Sequence, residues 1–227
     1  MDSATLAYLY HSEGFNLHLV GFDYGQRHSK ELNSLEAIAK SLNASWQVVN
    51  LTTLKDALKG SSLTSDDVEV PDGHYAEETM RITVVPNRNA IMLSIATGIA
   101  VANGSDLVAT GVHAGDHYIY PDCRPQFIEA LSQAFVYGTE GHAKPNFSLE
   151  APFVQISKAE IAAIGHKLNV PYHLTWSCYK GGDVHCGRCG TCVERIEAFI
   201  DAGVPDPTEY ADGIEFALEE IAKKKSE

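Results

Sequence analysis

The sequence is short of positive charge, of cysteine and of long apolar runs, and each shortage excludes a class of protein. Lys and Arg number 17 against 30 Asp and Glu, a formal net charge of −13. Such a surface repels phosphate backbones, so direct nucleic-acid binding is not expected. No run approaches the ~20 apolar residues of a membrane-spanning helix, and no basic-then-apolar leader is seen, so a cytoplasmic protein without membrane contact is expected. Five cysteines, four of them between Cys178 and Cys192, do not make a disulfide scaffold. Internal repeats and low-complexity tracts are also missing. What is there is 44% hydrophobic residues in a 227-residue chain, enough for one core with a small appendage.

Strand and helix patterns alternate. After an opening helical stretch, NLHLVGF (16–22) reads as a strand, and the next segment sets Leu32, Leu35, Ile38, Ala39 and Leu42 on one helical face. SWQVVNL (45–51), SDLVATGV (105–112) and FSLEAPFV (147–154) read as further strands. Between them, NRNAIMLSIATGIAVANG is nearly all apolar, a helix expected to be buried and to stop at Asn103-Gly104. Alternation of this kind predicts an α/β fold with a doubly wound, mostly parallel sheet. The polar stretch 60–83 has no periodicity and reads as a long loop, a candidate lid. The tail from Asp206 onward reads as a closing amphipathic helix with lysines in its last turn.

Cys178, Cys186, Cys189 and Cys192 are spaced C-x7-C-x2-C-x2-C. Four thiolates suit a closed tetrahedral zinc site, and Gly187 and Gly190 are expected to let the backbone turn tightly around it. An iron–sulfur cluster and four reduced structural thiols are the competing readings. With four sulfurs on the ion no position is open, so a single zinc per chain would be structural and the chemistry would lie elsewhere. Cys123 stands apart and reads as a small core or pocket residue.

Four motifs, FDYGQRHSKEL, VVPNRNAIML, TGVHAGDHYIYPDCRPQF and the terminal cysteine array, occur in the order expected for the 7-cyano-7-deazaguanine synthase family, and the resemblance covers essentially the whole chain. The start, MDSATLAYLY, resembles the back half of the SGGxDS loop of the PP-loop ATP pyrophosphatases, the superfamily of that enzyme. The resemblance implies a Rossmann-like domain of the adenine nucleotide alpha hydrolase type over residues 1–175, with a zinc-binding helical region over 176–227. It implies ATP-dependent conversion of 7-carboxy-7-deazaguanine and ammonia to the nitrile, with ATP and magnesium as co-substrate, in a homodimer. The family's first strand and its Ser-Gly-Gly would precede Met1, which predicts a start codon about ten to fifteen residues upstream. A truncated, ATP-incompetent zinc protein and a ligase using another amine are the alternatives.

The same comparison suggests residue roles. Asp2 and Ser3 would cap the opening helix and bind pyrophosphate, Asp2 alternatively holding magnesium. Asp23 would accept from an adenosine hydroxyl, Tyr24 would stack, and Arg27 would add a polar contact. Lys158 would touch phosphate, and Arg88 a phosphate or the substrate carboxylate, with Asn87 and Asn89 capping the helix beside it. Asp116 or Asp122 would read the guanine-like edge, Tyr118 and Tyr120 would stack on the base, and Asp122 and Arg124 rank ahead of His113 and His117, which are expected to be solvated.

Overall fold

The computed structural model describes residues 1–26, 29–54, 61–63, 69–74 and 80–226. Helices α1 (Asp2–Ser12), α2 (Lys30–Ser41), α3 (Arg88–Ala102), α4 (Pro125–Gly138), α5 (Lys158–Lys167), α6 (Gly190–Ala202) and α7 (Glu215–Ser226) alternate in the first part of the chain with strands β1 (His18–Asp23), β2 (Ser45–Asn50), β3 (Leu107–Ala109) and β4 (Ser148–Glu150). Every strand pairing among the described residues is parallel, as the alternation predicts. β1 pairs with β2 from His18 opposite Ser45 to Asp23 opposite Asn50, and β3 pairs with β4 from Leu107 opposite Ser148. These are two separate two-stranded sheets.

The chain forms two compact units, Met1–Val85 with Lys158–Glu227, and Pro86–Ser157. The boundary expected after residue 175 is not one of these divisions. The reason is packing: α6, which begins inside the cysteine array, lies along α5, and its Arg195 bonds back to Thr175 and to the Tyr172 carbonyl.

In the first unit, α1 buries Ala4, Thr5, Leu6, Ala7 and Tyr10 and packs on α5. The approach is close because residue 165 is glycine: a Cβ there would stand 1.7 Å from Tyr172 Oη and 2.9 Å from Thr5 Oγ1. The stretch expected as a lid is tied down at several of its described residues. Ser61 and Ser62 are fully buried, the Ser61 hydroxyl donates to the Thr83 carbonyl at 2.9 Å, and Asp72 forms an antiparallel bridge with Cys189.

In the second unit, α3 does not meet its expectation. Only Leu93, Thr97 and Ala100 are buried in it. The stretch Arg81–Ala102 is long and apolar enough, by length and composition, to cross a membrane, against the expectation that no run would be. Its α-helix covers only residues 88–102, about 22 Å at the α-helical rise, short of the ~30 Å of a bilayer core. Val84 is extended and Asn87 left-handed, and the two break the run.

Candidate metal centre and nucleotide site

The four cysteines converge. Their Sγ atoms all lie within 4.8 Å of one another, with Cys186 to Cys192 at 3.9 Å and Cys178 to Cys189 at 4.0 Å. A tetrahedron of sulfurs about 2.3 Å from a central ion has edges of about 3.8 Å, so the donor set and its spacing fit one metal ion. Cys178, Cys189 and Cys192 are buried and Cys186 is half-buried. The Arg188 and Cys189 amides each donate to Cys186 Sγ at 3.3 Å, in a turn whose Gly187 has φ of +73°. A Cβ at 187 would also meet the Gly213 carbonyl oxygen at 2.6 Å. Gly190, expected to serve the same turn, is instead the first residue of α6. Hydrogen bonds from Cys178, Cys186 and Cys192 hold the Cys189 thiol well below the usual thiol range, while the same network pushes the Cys178 and Cys192 thiols up.

Around this knot, Val70 packs against Cys178, Cys189 and Cys192. Lys180 and Arg188 both pair with Asp72, at 2.5 and 3.5 Å. His185 is buried between Trp176 and Tyr210, and its Nε2 accepts from the Ser177 amide at 3.0 Å. One turn into α6, Arg195 is 0% exposed. Its Nε and Nη2 donate to Asp206 at 3.1–3.4 Å, its Nη1 donates to Thr175 Oγ1 at 2.7 Å, and it lies over the Tyr172 and Phe199 rings. Sequence reasoning did not find this hub, because a charged pair inside VERIEAF reads as a solvated helix face.

At the mouth of α1, Asp2 and Ser3 lie within the first turn. Met1 holds the N-cap position and makes no side-chain cap bond, so neither Asp2 nor Ser3 is the N-cap residue, contrary to expectation. Ser3 is exposed. Lys158, also expected at phosphate, is brought to the same place: its Nζ lies 3.4 Å from Asp2 Oδ2 and 2.6 Å from Glu194 Oε2. Sequence reasoning passed over Glu194.

At the end of β1, Asp23 Oδ1 accepts from the Gly25 amide at 3.1 Å, in a turn where Gly25 has φ of +77°. Gln26 Oε1 accepts from the Tyr24 amide at 2.9 Å, and its Nε2 donates to Glu31 at 2.8 Å. Tyr24, Gln26 and Glu31 line a recess with Trp176 and Tyr179. Arg27 lies outside the described residues.

In the second unit, Arg88 opens α3. Asn87 does not cap this helix with its side chain, and Asn89 does not cap it either. Asp122 does: its Oδ2 accepts from the Asn89 amide at 3.0 Å, while Asn89 Nδ2 donates to the Asp122 carbonyl at 3.2 Å and to Cys123 Sγ at 3.1 Å. Cys123 is 4% exposed, and burial, with Asp116 and Asp122 beside it, pushes its thiol up. His113 is buried rather than solvated. Its Nδ1 accepts from the Gly115 amide at 3.1 Å, and its own amide donates to Asp116 at 3.4 Å. Arg124 donates from Nε to the His117 carbonyl at 2.8 Å. Tyr120 is 7% exposed and Tyr118 79%, so the two rings meet different surroundings.

A family model described as "Queuosine biosynthesis protein QueC" matches residues 1–203. A 7-cyano-7-deazaguanine synthase of Rhizobium rhizogenes is 57% identical over 212 residues, covering 93% of this chain and 89% of the relative. One of Brucella ovis is 56% identical over 212 residues, covering 93% and 90%. Among solved structures, the U34-tRNA thiolase NcsA from Methanococcus maripaludis with its 4Fe–4S cluster aligns at a TM-score of 0.44 and 14% identity, covering 87% of this chain and 59% of that one. That likeness is too loose to bear on the site.

Proposed function

The chain belongs to the QueC family of queuosine biosynthesis proteins, and we infer that it is an enzyme, an ATP-dependent ligase that makes 7-cyano-7-deazaguanine from 7-carboxy-7-deazaguanine and ammonia. The observation that carries this reading is 57% identity across 93% of the chain to a curated synthase of that name.

A carboxylate must be activated before nitrogen can replace its oxygens. One carboxylate oxygen attacks the α-phosphorus of ATP, and pyrophosphate leaves. Ammonia attacks the acyl carbon, a proton is lost, and AMP departs with the first oxygen. The amide oxygen then attacks the α-phosphorus of a second ATP and pyrophosphate leaves; AMP departs with that oxygen as the nitrogen gives up its protons and the triple bond closes. The protein's task is to hold phosphate charge and orient the reacting groups. In the first unit, the first-turn amides of α1, Ser3 and the Lys158 ammonium receive the phosphates, and Asp2 is the carboxylate suited to magnesium. Asp23 and Tyr24 hold the nucleoside, with Arg27 beside them in sequence. In the second unit, Arg88 and Arg124 neutralise the substrate carboxylate or phosphate. Asp116 and Asp122 read the guanine-like edge, and Tyr118 and Tyr120 offer ring faces.

Zinc is the ion for the four cysteines, because sulfurs this close together suit a single ion, whereas an iron–sulfur cube holds its thiolates wider apart. It supplies shape, with every position filled by sulfur. The enzyme acts in the cytoplasm as a homodimer. Exposed Val136 and Tyr137 on α4 and the half-exposed apolar α3 support a partner on the second unit.

Incubation with 7-carboxy-7-deazaguanine, ammonium and MgATP should yield the nitrile by mass spectrometry, with AMP and pyrophosphate formed in step. ATP turnover without nitrile, or nitrile without ATP turnover, would overturn the reading.

A further inference from the structure

We propose that Glu194 is a positioning residue that fixes the Lys158 ammonium at the first turn of α1; this rests on the ATP reading above. Lys158 Nζ lies 2.6 Å from Glu194 Oε2 and 3.4 Å from Asp2 Oδ2, and all three side chains are at most 22% exposed. Glu194 is held on both sides along its own helix. Two residues before it is Cys192, in the first turn of α6, and Cys189 is the N-cap. The residue after it is Arg195, fully buried and bonded to Asp206, Thr175 and the Tyr172 carbonyl. A carboxylate pinned between the cysteine knot and the arginine hub has little freedom left to lose when it grips an ammonium. This separates it from a surface ion pair, whose attraction is largely cancelled by side-chain ordering. Lysine carries a flexible four-carbon stem, so an ammonium already held at the helix mouth meets a phosphate without first being ordered there. The cysteine knot thereby acts on the nucleotide end through α6.

The test is steady-state kinetics of metal-loaded protein against ATP for the parent, Glu194→Gln, Lys158→Ala and the double variant. Metal content and melting temperature of each variant report folding. Glu194→Gln should raise KM for ATP about 10-fold while kcat stays within about 2-fold, a loss of binding without loss of chemistry. In the Lys158→Ala background the same substitution should change KM by less than about 2-fold, because the two act as one unit. Glu194→Asp, which keeps the charge on a shorter stem, should fall between and stands in if the Gln variant does not fold. An unchanged or lowered KM in Glu194→Gln, or an equal rise in both backgrounds, overturns the proposal while the ligase reading stands. A parent protein without ATP-dependent turnover overturns both.

Discussion

The hydroxyls of Thr5 and Tyr172 lie 2.8 Å apart, directly over Gly165, and join the opening helix to the segment that leads into the cysteine knot. Neither hydroxyl has room to retreat, since Thr5 is fully buried and Tyr172 nearly so. Gly165→Ala should therefore cost about 3 kcal/mol, the upper end of ordinary overpacking. In a chain of this length that lowers the melting temperature by roughly 6–12 °C. A melting curve unchanged by the substitution would show that α1 and α5 do not pack this closely.

Tyr172 also predicts an alkaline limb. Burial pushes its phenol up to about 12 from an ordinary 10, helped by the charge of Asp2 and opposed by the bond with Thr5. The unfolded chain releases this proton near pH 10 while the folded chain keeps it. The stabilisation is therefore complete below pH 10 and is lost as pH rises toward 12, roughly 2–3 kcal/mol in all. Urea midpoints from pH 9 to 11.5 should fall more steeply for the parent than for Tyr172→Phe, which has no phenol to titrate. Parallel curves would refute the assignment.

Arg195→Met should destabilise by about 3–5 kcal/mol, because it leaves the Asp206 carboxylate without its guanidinium. Arg195→Met with Asp206→Leu should cost less than the two single changes summed, since the double variant strands no charge. Additive losses in a urea double-mutant cycle would mean that the pair is not coupled.

Alkylation separates the cysteines. In metal-loaded protein none should react quickly. After chelation Cys178, Cys186, Cys189 and Cys192 should label, whereas Cys123, buried and with its thiol pushed up, should stay unmodified until the chain is denatured. Asp72 and Gly73 should gain amide exchange on chelation, because Asp72 bridges to Cys189 and the Gly73 amide donates to the Arg188 carbonyl. Labelling of Cys123 alongside the other four would count against this account.

The sequence made the parallel strands, the cysteine knot and the closing helix legible, because each is written in local spacing. The α/β pairing came from alternating periods, and the knot from C-x2-C-x2-C. What stayed hidden depends on contacts between distant residues. Asp122 caps α3 from 33 residues away, so Asn87 and Asn89, the nearer polar residues, looked like the caps. His113 is buried by its tertiary surroundings, and no loop pattern announces that. Arg195 and Glu194 are adjacent charges on a helix, and only the fold reveals that both face inward.

The clasp between Asp122 and Asn89 sets a condition on recognition in the second unit. A guest that draws the Asp122 carboxylate to itself strips α3 of the cap that Asp122 supplies, so occupancy and fraying of Arg88, Asn89 and Ala90 become a single event. Such a guest announces itself by loosening the protein locally, and its affinity is whatever remains after that unwinding.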